Sequence, residues 1–541
     1  MPDLVLGPLL RHVDTHSATV WVETDAPCEV TVAGCSAPTF QVEGRHYSLV
    51  VVTGLEPATA VEYEVRLDGE RRWPLEDSGL PPSRIRTLPE GGDGDFLLIF
   101  GSCRLPESED ARETSRWGPD ALAAYATRMA TTAELAWPDS LVMLGDQVYA
   151  DETSKATRRW IAGRRSLRKA PGKEVADFTE YVHLYHEAWS STLVRWLFST
   201  VPTSMIFDDH DVRDDWNTSQ AWRNDIERTA WWDRRERGAL VGYWIYQHIG
   251  NLSPDELAED KTYRAVVEAG RHGDAAGVLA EFADEATREV NGRKGTRWSY
   301  RRDFGNVRLL VIDTRSGRIL EDGQRSMVGN GEFEWIEANA GGDYDHLLIG
   351  SSLPWLMPHA ISHAQSINEA ACRRPGFRGR LAEALRQAAD LEHWPSFRES
   401  SDRLTRMVRG IAEGAAATVC VLSGDVHHVY AAEAAFDRPV NARVFQLTCS
   451  PLHNRVPHWM RPLFRIAWWR LPSAILRRWM LRSSRIEKMP VSWEKVAGPY
   501  FGNAVGSLRI RGREATMLVE RAELGEAGPY LLPLPEIPLS R

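Results

Sequence analysis

From residue 96 onward six short apolar runs punctuate the chain: FLLIF (96–100), LVML (141–144), MIF (205–207), VRLLVID (307–313), HLLIG (346–350) and TVCVLSG (418–424). Helix-like stretches separate them, DALAAYATRMATTAELA (120–136) being the clearest. Short apolar strands alternating with helices specify an α/β sheet covered on both faces. Residues 155–200 and 216–295 read as helical insertions into that pattern, with SPDELAEDKTYRAVVEAG carrying helical spacing throughout. Residues 1–90 have another texture. SATVWVET, EVTVAG, YSLVVVTG and VEYEVRL are strand-like runs divided by Pro, Gly and Asp, which predicts an all-β sandwich module of the immunoglobulin or fibronectin type. The Gly/acid stretch LPEGGDGD (88–95) is the expected linker to the second unit, 96–541.

Composition narrows the function. The 541 residues carry 43% hydrophobic and 26% charged side chains, enough to bury a large core, and a net charge of −10 argues against nucleic-acid binding. The N-terminus has no basic n-region, twin arginine or cleavage site, and no run reaches membrane-span length, so a cytoplasmic protein is expected. Six cysteines form no CxxC pair; a Cys28–Cys35 bridge stays open. With 21 tryptophans, some are expected to line a surface or cleft, those of 216–247 included, although core packing is their default.

The chemistry gathers at strand ends, where open α/β sheets collect ligands. FGSCR carries Cys103; LGDQVY carries Asp146 and Tyr149; FDDHDVRDDW carries Asp208, Asp209, His210, Asp211, Arg213, Asp214 and Asp215; LSGDVHH carries Asp425, His427 and His428. Singly each has a plainer reading. Cys103 is a small buried hydrophobe, Tyr149 a core phenol, His428 a structural imidazole, and Gly-Asp a turn. Together they point to a shared cation, because crowded carboxylates repel unless a positive charge neutralises them. Thiolate, phenolate and imidazole suit a transition metal, while carboxylates suit a harder ion, so at least two unlike metals are expected.

The motifs GSCR, GDQVY, DDHD, SGDVHH and LTCSPLHNRVP (447–457), in that order behind a β module, resemble the PhoD-like (alkaline phosphatase D) metallophosphatases of the calcineurin-like, purple-acid-phosphatase-related superfamily. The resemblance implies a four-layer α/β/β/α metallophosphoesterase sandwich. It implies ferric iron on Cys103, Asp146, Tyr149 and His427, and one or two calcium ions on Asp209 and Asp425, with Asp146 bridging; other divalent metals remain open. His210 matches the imidazole that contacts the scissile phosphate, and Arg213 is a candidate clamp on a phosphate oxygen. Asp208, Asp211, Asp214 and Asp215 are left between binding further calcium and orienting His210. The implied activity is hydrolysis of phosphate monoesters, diesters or both by a metal-activated hydroxide, on a small-molecule or lipid substrate. A non-catalytic metal- or lipid-phosphate-binding protein on the same scaffold is the alternative. The basic aromatic tract 458–488, with eight Lys/Arg, suggests short packed helices, peripheral membrane contact or a lid.

Overall fold

The structure, a computed structural model, describes residues 1–76, 78–91, 94–107, 116–288, 296–321, 324–454, 456, 461–468, 489–526 and 528–540. At the N-terminus, strands Leu4–Val13, Ala18–Thr24, Arg45–Val52 and Phe40–Val42 form one antiparallel sheet. Glu29–Val32, Cys35–Pro38, Val65–Leu67 and Glu70–Trp73 form a second. The run VEYEVRL is two strands in different sheets. Ala60–Glu62 pairs with Arg84–Arg86 and Val65–Leu67 with Glu29–Val32. Between them buried Tyr63 donates its hydroxyl to the Ser199 carbonyl at 2.5 Å, which turns the chain toward the second unit. Cys28 and Cys35 are both free thiols.

Ala18–Thr24 is buried at every position, not alternately. One face fills the module; the other meets the helical part of the second unit, where Trp21 lies 5.2 Å from the Tyr246 ring and Glu23 sits 2.8 Å from His186 Nε2. Buried Arg11 donates to the carbonyls of Thr203, Tyr246 and Gln247 at 2.9, 2.7 and 2.7 Å. A guanidinium that capped by carbonyls stays satisfied without water, so the module is docked rather than tethered.

Two mixed sheets make the centre of the second unit. The first contains Phe96–Gly101, Ser140–Leu144 and Thr203–Ile206 in parallel, extended by antiparallel Ala504–Arg511 and Glu514–Gly525. In the second, Val307–Ile312, His346–Ser351, Thr418–Ser423 and Arg443–Thr448 run parallel. Successive side chains on a strand point to opposite faces. Leu309, Val311, Leu348, Cys420 and Leu422 therefore join the core shared with the first sheet, while Leu310, Ile312, Ile349, Val419 and Val421 join a second core. That second core is closed by Phe333, Ile336, Leu404 and Val408 of helices Asn330–Ala340 and Arg398–Ala412. Helices Ala121–Thr131 and Thr192–Thr200 contribute to the core on the first sheet's side. The order is helix, sheet, sheet, helix.

The stretch 253–270 is two helices, Pro254–Glu259 and Lys261–His272. Asp260 interrupts the helical pattern because its carboxylate accepts the Tyr263 N–H at 2.6 Å, an N-cap inside the run. Trp216, Trp232 and Trp244 are buried core residues. Of the tract 458–488, residues 461–468 are described and the rest lies outside the described residues. Helix Arg461–Ala467 brings Phe464 to 4.8 Å from the His428 ring, with buried Trp468 on Tyr430 at 4.7 Å. Among the described residues no helix is long and apolar enough to cross a membrane.

Candidate metal centre

The carboxyl ends of the two sheets meet at one place. A Cβ on Gly424, after Thr418–Ser423, would lie 2.0 Å from Ser102 Oγ and 3.0 Å from the Leu144 carbonyl. One on Gly145 (φ +107°) would lie 2.5 Å from Asp208 Cβ. Both glycines of the two Gly-Asp motifs are thus set by close approach of neighbouring loops, not merely by a turn. Cys103, Asp146, Asp425 and His427 have φ of 56°, 50°, 64° and 50°. Left-handed backbone in non-glycine residues is costly and gathers at functional sites. Here it occurs at four of the six residues expected to bind metal.

Asp146, Asp208 and Asp209 each bring a carboxylate oxygen within 4.8 Å of the others. All three are buried, at 1%, 0% and 4% exposure. Asp146 Oδ1 and Asp208 Oδ2 have no hydrogen-bond partner in the structure. Burial raises all three carboxyls, Asp146 and Asp208 well above the carboxylate range. Arg315 supplies some positive charge. Its guanidinium donates to Asp208 Oδ1, and lies 3.2 Å from Asp209, 2.6 Å from Glu392 and 3.8 Å from Asp425. Glu392 is shared with Arg318 at 3.2 Å and Asp425 with His393 at 2.9 Å, which leaves Arg315 facing Asp208 and Asp209, with Asp146 adjacent. Three buried acids beside one guanidinium, two of their oxygens unpartnered, fit a bound cation.

Softer donors border the carboxylates. Buried Cys103 Sγ lies 3.1 Å from Ser102 Oγ and 3.9 Å from the Asp425 carbonyl. The Tyr149 hydroxyl is 3.4 Å from Asp146 Oδ2 and accepts from Asn454 Nδ2 at 3.0 Å. Burial and neighbouring charge push the Cys103 thiol and Tyr149 phenol well above their ordinary values. Burial holds His427 down to about 4, against the pull of nearby Asp425, so its imidazole is neutral and able to ligate. Burial would raise Asp425, but His393, with Nε2 at 2.9 Å, and Arg315 hold it at about 2.

The His210 ring lies 4.7 Å from the Tyr149 ring at a 35° tilt, and its Nδ1 lies 2.9 and 3.1 Å from the two oxygens of Asp151. Burial alone would lower this imidazole; the Asp151 carboxylate and its hydrogen bond lift it well above the ordinary value. Asp151 also accepts the Asp214 N–H at 2.7 Å.

The DDHDVRDD run divides its labour. Asp208 and Asp209 face the cluster, whereas the Asp211 carboxylate accepts the backbone N–H groups of Gln147, Val148 and Asp208 at 3.1, 3.2 and 2.9 Å. It braces one loop on another. Asp214 is largely exposed and reaches only 3.9 Å from His210 Nε2. The Asp215 N–H donates to Asp209 Oδ2 at 3.1 Å. Arg213 turns to Glu174, 3.3 Å from Nε, and stands 5.8 Å over Trp231. His428 packs on Tyr430 and Phe464.

Four participants escaped the sequence reading. Arg315 follows a strand already read as core, VRLLVID, so the strand-end rule could have found it. Asp151 lies two residues past Tyr149, and Asn454 lies inside LTCSPLHNRVP. His393, in LEHW, carries no local signal.

A family model described as PhoD-like phosphatase matches residues 114–459, and one described as a domain of unknown function (DUF7800) matches residues 1–85. A search of curated proteins found no match. A solved structure described as "Structure of PhoD" aligns with a TM-score of 0.57 at 13% identity, covering 98% of this chain and 89% of its own. At that identity the likeness concerns the fold: mixed α/β behind N-terminal β sheets. The phosphatase model spans well over half the sequence and includes most of the strand-end cluster, and on that ground the chain belongs to the PhoD-like phosphatase family.

Proposed function

We propose that this chain hydrolyses phosphate esters at the buried group Asp146, Asp208 and Asp209. The observation that carries the reading is the buried carboxylate cluster, with unpartnered oxygens on Asp146 and Asp208, beside a histidine held by its own carboxylate. Phosphatase-type function and metal dependence follow from the family, and the acid cluster could bind metal. Cys103, Asp146, Tyr149 and His427 would hold a transition metal such as ferric iron. Asp208, Asp209 and Asp425, with Asp146 shared, would hold calcium beside Arg315. Cations bound there would acidify water to a hydroxide near neutral pH and neutralise the phosphoryl oxygens.

The remaining work falls to the chain. His210 donates a proton to the leaving oxygen. Asp151 is a positioning residue: it fixes the ring and keeps it protonated. Arg315 pulls Asp208 and Asp209 back toward the ionised form against the effect of burial. The purified protein is expected to cleave p-nitrophenyl phosphate, its bis-ester, or both; metal-replete protein that cleaves neither would overturn the reading.

Asp151→Asn tests the positioning role. Because Asp151 raises the His210 pKa, its loss lowers that pKa, and the acid form disappears at lower pH. The alkaline fall in kcat should therefore move to lower pH, with kcat at its optimum reduced roughly tenfold. An unmoved alkaline limb would remove Asp151 from the account.

A further inference from the structure

Helix Phe377–Ala388 is docked on the molecule by its small and polar face. A Cβ on Gly379 would lie 2.0 Å from the Arg374 carbonyl, and the Ala382 carbonyl accepts Asn368 Nδ2 at 2.8 Å. Buried Arg386 donates to Glu369 at 2.6 Å and Glu383 at 3.0 Å. The large apolar side chains point the other way. Phe377, Leu381 and Leu385 recur every fourth residue, which sets them in one stripe, and they are 71, 59 and 55% exposed. A single exposed leucine is ordinary. An apolar stripe outside with an arginine inside is not, and it points to an apolar partner beyond the chain's own core.

Arginines border the stripe. By helical position Arg378 flanks one side and Arg380 the other, with Arg374 at the tight turn before the helix. All three are exposed, and among the described residues none of them is in an ion pair. Arg373, by contrast, pairs with Glu369 at 3.4 Å. Glu383, the one acid of the helix, is occupied by Arg386, by Gln387 Nε2 at 3.1 Å and by the Ser219 hydroxyl. Residues 373–388 thus present three unpaired guanidiniums and no unpaired carboxylate, in a protein whose net charge is −10. The next exposed acid, Asp390, follows the helix and lies toward Glu392, Asp425 and Asp209 at the metal centre.

We infer that this ridge docks on an anionic lipid bilayer. An apolar stripe with arginines on both flanks is the arrangement by which a helix lies in the plane of a membrane surface. Side chains this exposed form a ridge, which a bilayer takes up by yielding, whereas a protein partner needs a groove cut to fit it. The stretch 469–488 holds six Lys/Arg to one acid, so it carries the same sign as the ridge and is disfavoured as its occupant. The inference stands apart from the hydrolytic reading, although the helix leads directly to the metal centre, where His393 lies 2.9 Å from Asp425.

Flotation of the full-length protein tests it, with vesicles of equal parts phosphatidylglycerol and phosphatidylcholine and with vesicles of phosphatidylcholine alone. The parent is expected to bind the anionic vesicles roughly tenfold or more tightly than the neutral ones, and the difference should close as salt is added. Phe377→Ser/Leu381→Ser/Leu385→Ser, and separately Arg374→Gln/Arg378→Gln/Arg380→Gln, should each weaken binding to the anionic vesicles by roughly tenfold or more. Both variants should melt with the parent, because the altered side chains face solvent. No binding by the parent, equal binding to the two vesicle types, or parental binding in either variant overturns the inference. An apolar-triple variant that melts well below the parent would place the ridge against the chain itself. A parent dimer that this variant dissociates would assign the ridge to a second copy. Either result also overturns it.

Discussion

Asp146→Asn is expected to purify without its metal and with phosphate-ester turnover reduced by a factor of about a thousand or more, a loss of at least about 4 kcal/mol in transition-state stabilisation. Asp146 is the joint of the site. Its Oδ2 lies 3.4 Å from the Tyr149 hydroxyl, its Oδ1 is unpartnered, and it belongs to the compact group with Asp208 and Asp209. Asn has the same shape but no charge, so geometry is kept while cation binding is weakened. The substitution also separates function from folding. It removes a buried carboxyl whose charged form burial and its acidic neighbours disfavour, so the metal-free variant should melt no lower than metal-free parent. Metal retained together with parental turnover would mean that Asp146 does not hold the cation.

His210→Ala is expected to behave in the opposite way with respect to metal. The carboxylates and Cys103 are untouched, so metal content should stay at the parental level, while turnover falls by about 10²–10⁴ as for the loss of a general acid. The variant leaves buried Asp151 without its imidazole, although the Asp214 N–H still donates to it at 2.7 Å. Some loss of thermal stability is therefore expected as well. His210→Gln keeps a donor near Asp151 and should recover stability without recovering turnover. If both variants hydrolyse esters at the parental rate, His210 takes no part in proton transfer.

Much of this site was legible because its signals are local. An apolar run followed at once by acid, imidazole or thiol announces a buried strand entering a ligand-bearing loop, and Cys103, Asp146, Asp209 and Asp425 all stand at such ends. The reason both Gly-Asp motifs need glycine was not legible. It lies in another loop's approach: Asp208 Cβ at Gly145 and Ser102 Oγ at Gly424. Nor could the sequence say how successive aspartates of one loop point. Asp208 turns to Arg315, while Asp211, three residues on, is consumed by backbone N–H groups. Such directions depend on backbone dihedrals that only the folded contacts select. Arg315, His393 and Asp151 meet their partners across 107, 32 and 59 residues. Long-range pairing of this kind leaves no periodic trace. The C-terminal strands Ala504–Arg511 and Glu514–Gly525 were missed similarly, although they complete the first sheet beside Phe96–Gly101.

The central claim is that Asp146, Asp208 and Asp209 hold a cation on which ester hydrolysis depends. Elemental analysis of the purified chain, paired with p-nitrophenyl phosphate turnover before chelation, after chelation and after metal is returned, addresses it directly. The account predicts tightly bound metal, turnover that falls in step with its removal, and recovery on return. Undiminished hydrolysis by protein shown to be metal-free would contradict it.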